Sequence, residues 1–316
     1  MRFVPFAALL VGSCLALPAV AADAQAWLQR LAAAERSQNF QGAFVYERNG
    51  SFSTHSIWHR AEEGGVLRER LLQLDGSAQE VLRVDGQVRC ASGALADQLI
   101  DSQLWPAREL NAEQLGQWYN LSVLGKSRVA GRATVVLAMV PRDQHRYGIE
   151  LHLDQKTALP LKSLLLNDKG QLLERFQFTH FDTQVPVAEM LEPGDGCRPV
   201  RLPEAQPVTT DAWISEWLPP GFSLNSTTVR RSPASDEAVA CQVYGDGLAR
   251  FSVFMEPLRG AVVEDLRTQL GPTVAVSRRL KTSDGDVMVT VVGEIPLGTA
   301  ERIALSMRMA ESQAEP

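Results

Sequence analysis

His55 and His59 stand four residues apart, the spacing by which one helix face presents two imidazoles to a zinc ion. That motif carries glutamate directly after the first histidine, and Ser56 occupies the place here. The surrounding residues read as a strand, which sets the two rings ~13 Å apart along the chain, out of reach of one metal. His145, His152 and His180 lack partners at ligand spacing. There is no GxSxG elbow and no phosphate loop, and Gly194-Asp195-Gly196 falls in a proline-rich stretch. Surface or hydrogen-bonded histidine is the reading these positions support. The chain is expected to be no enzyme and to hold neither metal nor cofactor.

Two sets of residues could bind rather than react. The first is an aromatic group, Phe44, Tyr46, Phe52, Trp58, Trp105 and Trp118. It reads either as ordinary core or as the lining of a cavity under a curved sheet, where an acyl chain fits. The second is arginine: Arg68, Arg70, Arg83 and Arg89 on neighbouring strands, then Arg230-Arg231 and Arg278-Arg279. These are a solvated face by default, or forks for phosphate or for a partner's carboxylates. Arg68 and Arg70 are the lipid-side candidates. Arg230, Arg231, Tyr244 and Phe251 are candidates for partner contact.

The elements that must position them are mostly strands. Between Phe40 and Cys90 the chain turns at Asn49-Gly50, Glu63-Gly64-Gly65, Asp75-Gly76 and Asp85-Gly86. Asn-Gly and Asp-Gly suit two-residue turns with positive φ, so the stretch predicts an antiparallel meander. Before it, Asp23 to Gln38 places Trp27, Leu28, Leu31 and Ala34 on one helical face. After it, Leu95, Leu99 and Leu104 give a helical piece broken by Pro106. Asn111 then caps a second piece, with Gln114 in the capping-box position. Two short helices inside a sheet protein make a plug over one sheet face. Strands resume from Leu121 to Phe181. Residues 183–212 carry five prolines between Pro186 and Pro207 and read as a linker. A smaller domain follows from Trp213, with strands, an Asp246-Gly247 turn and a last helix from Thr299 to about Met309.

The chain has 316 residues and a net charge of −6, which argues against a nucleic-acid partner. Residues 1–21 read as an export signal: Arg2, an apolar run from Phe3 to Leu17, and Ala19-Val20-Ala21 before the cut. Lipidation at Cys14 is the rival, with Gly12 making its box poor. Three cysteines then remain, which allows one disulfide and a free thiol or no bridge with all three buried; Cys197 with Cys241 is the expected pair because both lie in the second half. Homo-oligomerisation stays open.

Longer stretches carry a resemblance. FQGAFVYERNGSFSTHSIWHR, PRDQHRYGIELHLD, ALPLKSLLL, LNDKGQLLERFQF, EWLPPGF, YGDGLARFSVF and VVGEIPLGTAERIA closely resemble the RseB/MucB family, its MucB branch in particular. The resemblance implies a mainly β (α+β) fold. A LolA/LolB-like unclosed antiparallel β-barrel with a helical plug fills 22–182, and a smaller α+β domain fills 213–316. It implies a periplasmic regulator that binds the exported part of a membrane-spanning anti-sigma factor (RseA/MucA type). Binding shields that partner from site-1 proteolysis, and lipid or lipopolysaccharide relieves the block. The output of the MucB branch includes alginate synthesis. The alternative is a periplasmic lipid or lipoprotein carrier of the LolA/LolB type.

Overall fold

The computed structural model describes residues 17–77, 79–92, 110–200, 213–235, 237–261, 263–282 and 285–309. The expected helix around Leu95 to Leu104, Trp105, and the signal residues up to 16, with Cys14, lie outside them. Helix α1 (Leu17–Ser37) begins before Asp23, with Pro18 in its first turn, where a missing N–H costs nothing. No helix among the described residues is long and apolar enough to cross a membrane.

The meander follows as β1 (Phe40–Arg48), β2 (Ser51–Ala61), β3 (Leu67–Gln73), β4 (Glu80–Val84) and β5 (Gln87–Ala91). Its turns take the backbone the sequence demanded: φ is 52° and 73° at Asn49 and Gly50, and 51° and 77° at Asp85 and Gly86. Helix α2 (Ala112–Trp118) starts where Asn111 Oδ1 accepts from the backbone of Glu113 and Gln114. Then come β6 (Tyr119–Val129), β7 (Arg132–Pro141), β8 (Gly148–Asp154), β9 (Pro160–Leu166) and β10 (Leu172–Asp182). With β11 (Arg198–Pro199) they form one sheet in the order β11-β5-β4-β3-β2-β1-β10-β9-β8-β7-β6. Every pairing is antiparallel, and β6 and β11 remain separate edges, so the sheet is unclosed.

The inner face of that sheet is covered from both ends. Leu28 and Leu31 of α1 and Leu115 of α2 pack on Leu137, Leu151 and Leu153, and all are at most 1% exposed. Toward the other end Ala34 of α1 meets Phe40, Phe44, Ile57, Phe176, Phe178 and Phe181. A half-barrel with one apolar face has to bury it against its own helices or a ligand.

Residues 183–200 strap the outer face. Arg60 donates to Pro186 O, Arg70 to Met190 O, and Gly194 N donates to Glu80 Oε1 at 2.8 Å. The strap ends where β11 pairs with β5. This placement corrects the expected disulfide: Cys197 bonds Cys90, not Cys241. The strap doubles back on the first sheet, so Cys197 arrives beside Cys90 although 107 residues separate them. Cys241 is buried and free in the second domain, where burial pushes its thiol up to about 11.

The second domain opens with β12 (Trp213–Ser215) and a six-stranded antiparallel sheet. Its strands are β13 (Ser223–Arg231), β14 (Ala238–Gly245), β15 (Arg250–Pro257), β16 (Leu266–Leu270), β17 (Thr273–Thr282) and β18 (Gly285–Gly293). The order is β13-β14-β15-β18-β17-β16. Helix α3 (Leu297–Ser306) lies on one face, with Ile303 and Ala304 fully buried on Val253, Val274 and Val289. The chain then pairs β19 (Met307–Met309) with β12.

Thiol titration of the denatured, unreduced exported chain should find one free cysteine, and three after reduction. Reduction should cost about 2–4 kcal/mol, read as a lower denaturant midpoint.

Candidate functional site

Strand parity decides which candidates meet. Phe44 pairs with His55 and Phe178, so all three point to the inner face. The Phe44 ring is 4.5 Å from Phe176 and 5.1 Å from His55, and only 2% of the residue is exposed. Tyr46, two residues on, shares that face and donates to Glu174 Oε2 at 2.7 Å. His59 stacks on Phe40 and contacts Glu69 at 3.4 Å, while Arg83 holds the other Glu69 oxygen at 2.8 Å. Burial alone would raise the Glu69 carboxyl, but the His59 hydrogen bond and the Arg83 charge outweigh it and hold it at about 2.

Trp58 is three residues from His55 and therefore on the outer face. It registers with Arg70, whose guanidinium lies 5.7 Å from the indole ring. Arg70 is also paired to Glu80 at 2.8 Å, and Arg68 to Glu62 at 3.0 Å. Phe52 shares this outer face and is 63% exposed. The sheet thus separates Phe44 and Tyr46 from Phe52, Trp58, Arg68 and Arg70. In the second domain Tyr244 and Phe251 stack at 5.1 Å inside the core under α3, 3% and 1% exposed. Arg230 registers with Val239 on the opposite face, and its Nε donates to Thr228 Oγ1 at 3.3 Å. Arg231 is exposed at the end of β13.

The densest polar chemistry sits in the seam between the domains. Arg146 follows β7 and reaches across to Asp246, Nη1 to Oδ2 at 2.5 Å, with neither side chain exposed. Its other donors go to both Asp143 oxygens, at 3.2 and 3.0 Å, and to Pro220 O. The Tyr119 hydroxyl donates to the same Asp246 oxygen at 3.0 Å. Burial and the Asp246 charge push that phenol well above its ordinary value, so it remains a donor. The guanidinium also lies 4.9 Å from the Phe222 ring. Asp246 Oδ1 accepts from Leu248 N and Ala249 N, so one carboxylate closes a loop and carries the joint.

The turn Pro219-Pro220-Gly221 fits against this knot. Gly221 has φ of 85°, and a Cβ there would fall 2.3 Å from the Trp118 indole. Glycine is required both by backbone and by space. Trp118 therefore lies at the seam. His145 contacts Thr299 at 3.1 Å and meets Trp217 edge-on, and Tyr147 OH donates to Ile295 O.

A second joint lies at Arg48. It bonds the Thr273 hydroxyl and reaches Glu294 Oε1 at 3.1 Å in the second domain, and Glu174 Oε2 at 3.8 Å in its own. A cleft of about 230 Å³ opens beside it, lined by Glu47, Asn49, Gly50, Leu172, Leu173 and Gly271. Sequence reading missed both joints. Asp246 had been read as a turn residue and Arg48 as a strand residue, and only contact across 100 or more positions gives them a role. No group of three or more metal-ligating side chains occurs among the described residues.

This two-domain arrangement has known counterparts. The model of the MucB/RseB N-terminal domain matches residues 23–194, and that of the MucB/RseB C-terminal domain matches 207–308. The chain belongs to the MucB/RseB family. The sigma factor AlgU regulatory protein MucB of Pseudomonas aeruginosa is 65% identical over 302 residues, covering 95% of this chain and 96% of that protein. The sigma-E factor regulatory protein RseB of Escherichia coli K12 is 27% identical over 91% of each chain. The Pseudomonas aeruginosa MucA/MucB complex contains a chain that is 63% identical and superposes with a TM-score of 0.81, covering 92% of this chain and all of that one. A structure of MucB alone, 60% identical, covers 92% of this chain and 98% of its own, with a TM-score of 0.71.

Asp246→Ala removes the one fully buried carboxylate that faces Arg146, leaving it only the partly exposed Asp143, and should cost about 3–5 kcal/mol, read by calorimetry. Arg146→Met with Asp246→Leu should cost less than Asp246→Ala alone, because no fully buried charge then remains and Asp143 is partly exposed.

Proposed function

We propose that this chain binds the periplasmic segment of a MucA-type anti-sigma factor and so controls the sigma factor that partner holds. It works in the periplasm and acts by binding, with no bond-breaking step. What supports the reading is family membership across both domains, and the MucA-containing structure on which 92% of the chain superposes. By occupying the partner's exported segment, the chain shields it from site-1 proteolysis. The arrangement with both joints closed is the one that holds the partner; in support, the TM-score is 0.81 against the MucA complex and 0.71 against MucB alone. Release then needs a signal that favours another arrangement, because a ligand shifts an equilibrium only by its differential affinity for the two states.

Lipid is the proposed signal. The inner face around Phe44 and Tyr46 supports it, being the only one of the two sheet faces, among the described residues, that carries the stacked phenylalanines. The strapped outer face with Trp58 offers arginines already paired to glutamates. A lipid carrier is the lesser reading, since a second domain fixed by a buried ion pair serves regulation rather than ferrying.

The test is capture of the exported chain on an immobilised MucA-type periplasmic segment. Retention is expected, and its absence with a folded chain removes the reading. Adding lipopolysaccharide should elute the wild type. Phe44→Ala should weaken that elution several-fold, while Trp58→Ala leaves it near wild type. Equal loss in both would place the lipid elsewhere.

A further inference from the structure

We propose that Arg48, Glu174 and Glu294 form a proton-operated clasp between the two domains, closed in mildly acidic solution and loosened above neutrality. The geometry sets one cation between two carboxylates from different domains. Arg48 reaches Glu294 at 3.1 Å and Glu174 at 3.8 Å, and no second cation is brought to either carboxylate among the described residues. Both carboxylates ionised leave the joint with a surplus negative charge. Protonating one removes it, and like charges sharing a partly buried site resist joint ionisation.

The groups facing the clasp do not supply the missing charge. Tyr46 on β1 donates to Glu174, and burial keeps its phenol protonated. Tyr147 before β8 is raised to about 12 by burial, with Glu294 and Asp168 adding to it. Glu47 is matched by Arg175 at 3.3 Å. Thr273 gives a hydroxyl, and Arg250 meets Glu294 through its backbone carbonyl. The Glu294 side chain is 45% exposed, so protons reach the joint without the domains parting.

Burial, then the Glu294 charge, raise the Glu174 carboxyl to about 7, and Tyr46 and Arg48 only partly oppose them. Glu294 is raised in the same direction, chiefly by burial. The Glu294 side chain keeps 45% exposure against 24% for Glu174, so Glu174 carries most of the response. Parting the domains hydrates both carboxyls and returns them toward about 4.3. The closed state therefore holds its proton more tightly than the open one. Its advantage is complete below the ordinary carboxylate range and is lost as pH rises through about 7. At the Arg146 joint the Asp246 carboxylate is instead held by four donors, Arg146, the Tyr119 hydroxyl and the Leu248 and Ala249 backbones, so one seam holds while the other yields.

Spin labels on Lys169→Cys and Thr268→Cys, both exposed and on either side of the cleft, report the separation in the intact exported chain without any partner. Buried Cys241 stays unlabelled. We expect one short distance at pH 5.5 and a growing longer population by pH 8.5, with a midpoint near 7. Glu174→Gln should keep the short distance throughout, and Glu294→Gln should do the same if the first variant fails to fold. A distribution independent of pH overturns the clasp. So does opening on acidification, or a transition that persists in a folded glutamine variant. Because no anti-sigma segment is present, this outcome is independent of whether that partner binds.

Discussion

A guanidinium with no solvent contact governs how the two halves of this protein meet. Arg146 is taken out of water, at a cost of several kcal/mol, and only a complete set of acceptors offsets it. Asp246, Asp143 and Pro220 supply that set, and each stands at a different place in the chain. The tight turn ending in Gly221 exists to bring the Pro220 carbonyl within reach, and Trp118 closes over it. Such a pair contributes little net stability compared with a hydrophobic packing of equal volume, but it specifies one orientation. A seam of leucines would slide; this one has a single register.

The Arg48 joint has the opposite character. It is partly exposed, and a cleft runs alongside. Partly hydrated ion pairs gain about 1 kcal/mol or less. The seam is therefore stiff at one end and soft at the other. A hinge follows from that inequality, with Arg146 as the pivot and Arg48 as the part that opens.

Much of the fold was legible because local chemistry dictates it. Asn49-Gly50 and Asp85-Gly86 adopt positive φ wherever they fall between alternating strands, so the meander could be read directly. The Asn111 cap was equally local. What escaped was decided at long range. Trp58 and Phe44 look alike in sequence, yet Phe44 on β1 registers with His55, and Trp58 stands an odd number of residues from His55 along β2, so the two face opposite sides. Tyr244 and Phe251 read as contact residues by type, and the packing of α3 makes them core. Cys197 seemed to belong with Cys241 until the strap returned it to β5. Asp246 was correctly a turn residue, and its second oxygen had no local clue to its use.

These particulars bear on how a protein without chemistry can switch. A ligand supplies only the difference between its affinities for two states, commonly a few kcal/mol. At about 1–3 kcal/mol that is too little to break the Arg146 pair, whose rupture costs about 3–5 kcal/mol. It is ample to trade one exposed contact at Arg48 for another. The strap and the Cys90–Cys197 bond tie residues 183–200 to the first sheet, so motion has to arise beyond them. Seen this way, the disulfide and the buried pair do the same work from two directions. They confine the free-energy change of a bound signal to the one joint soft enough to respond.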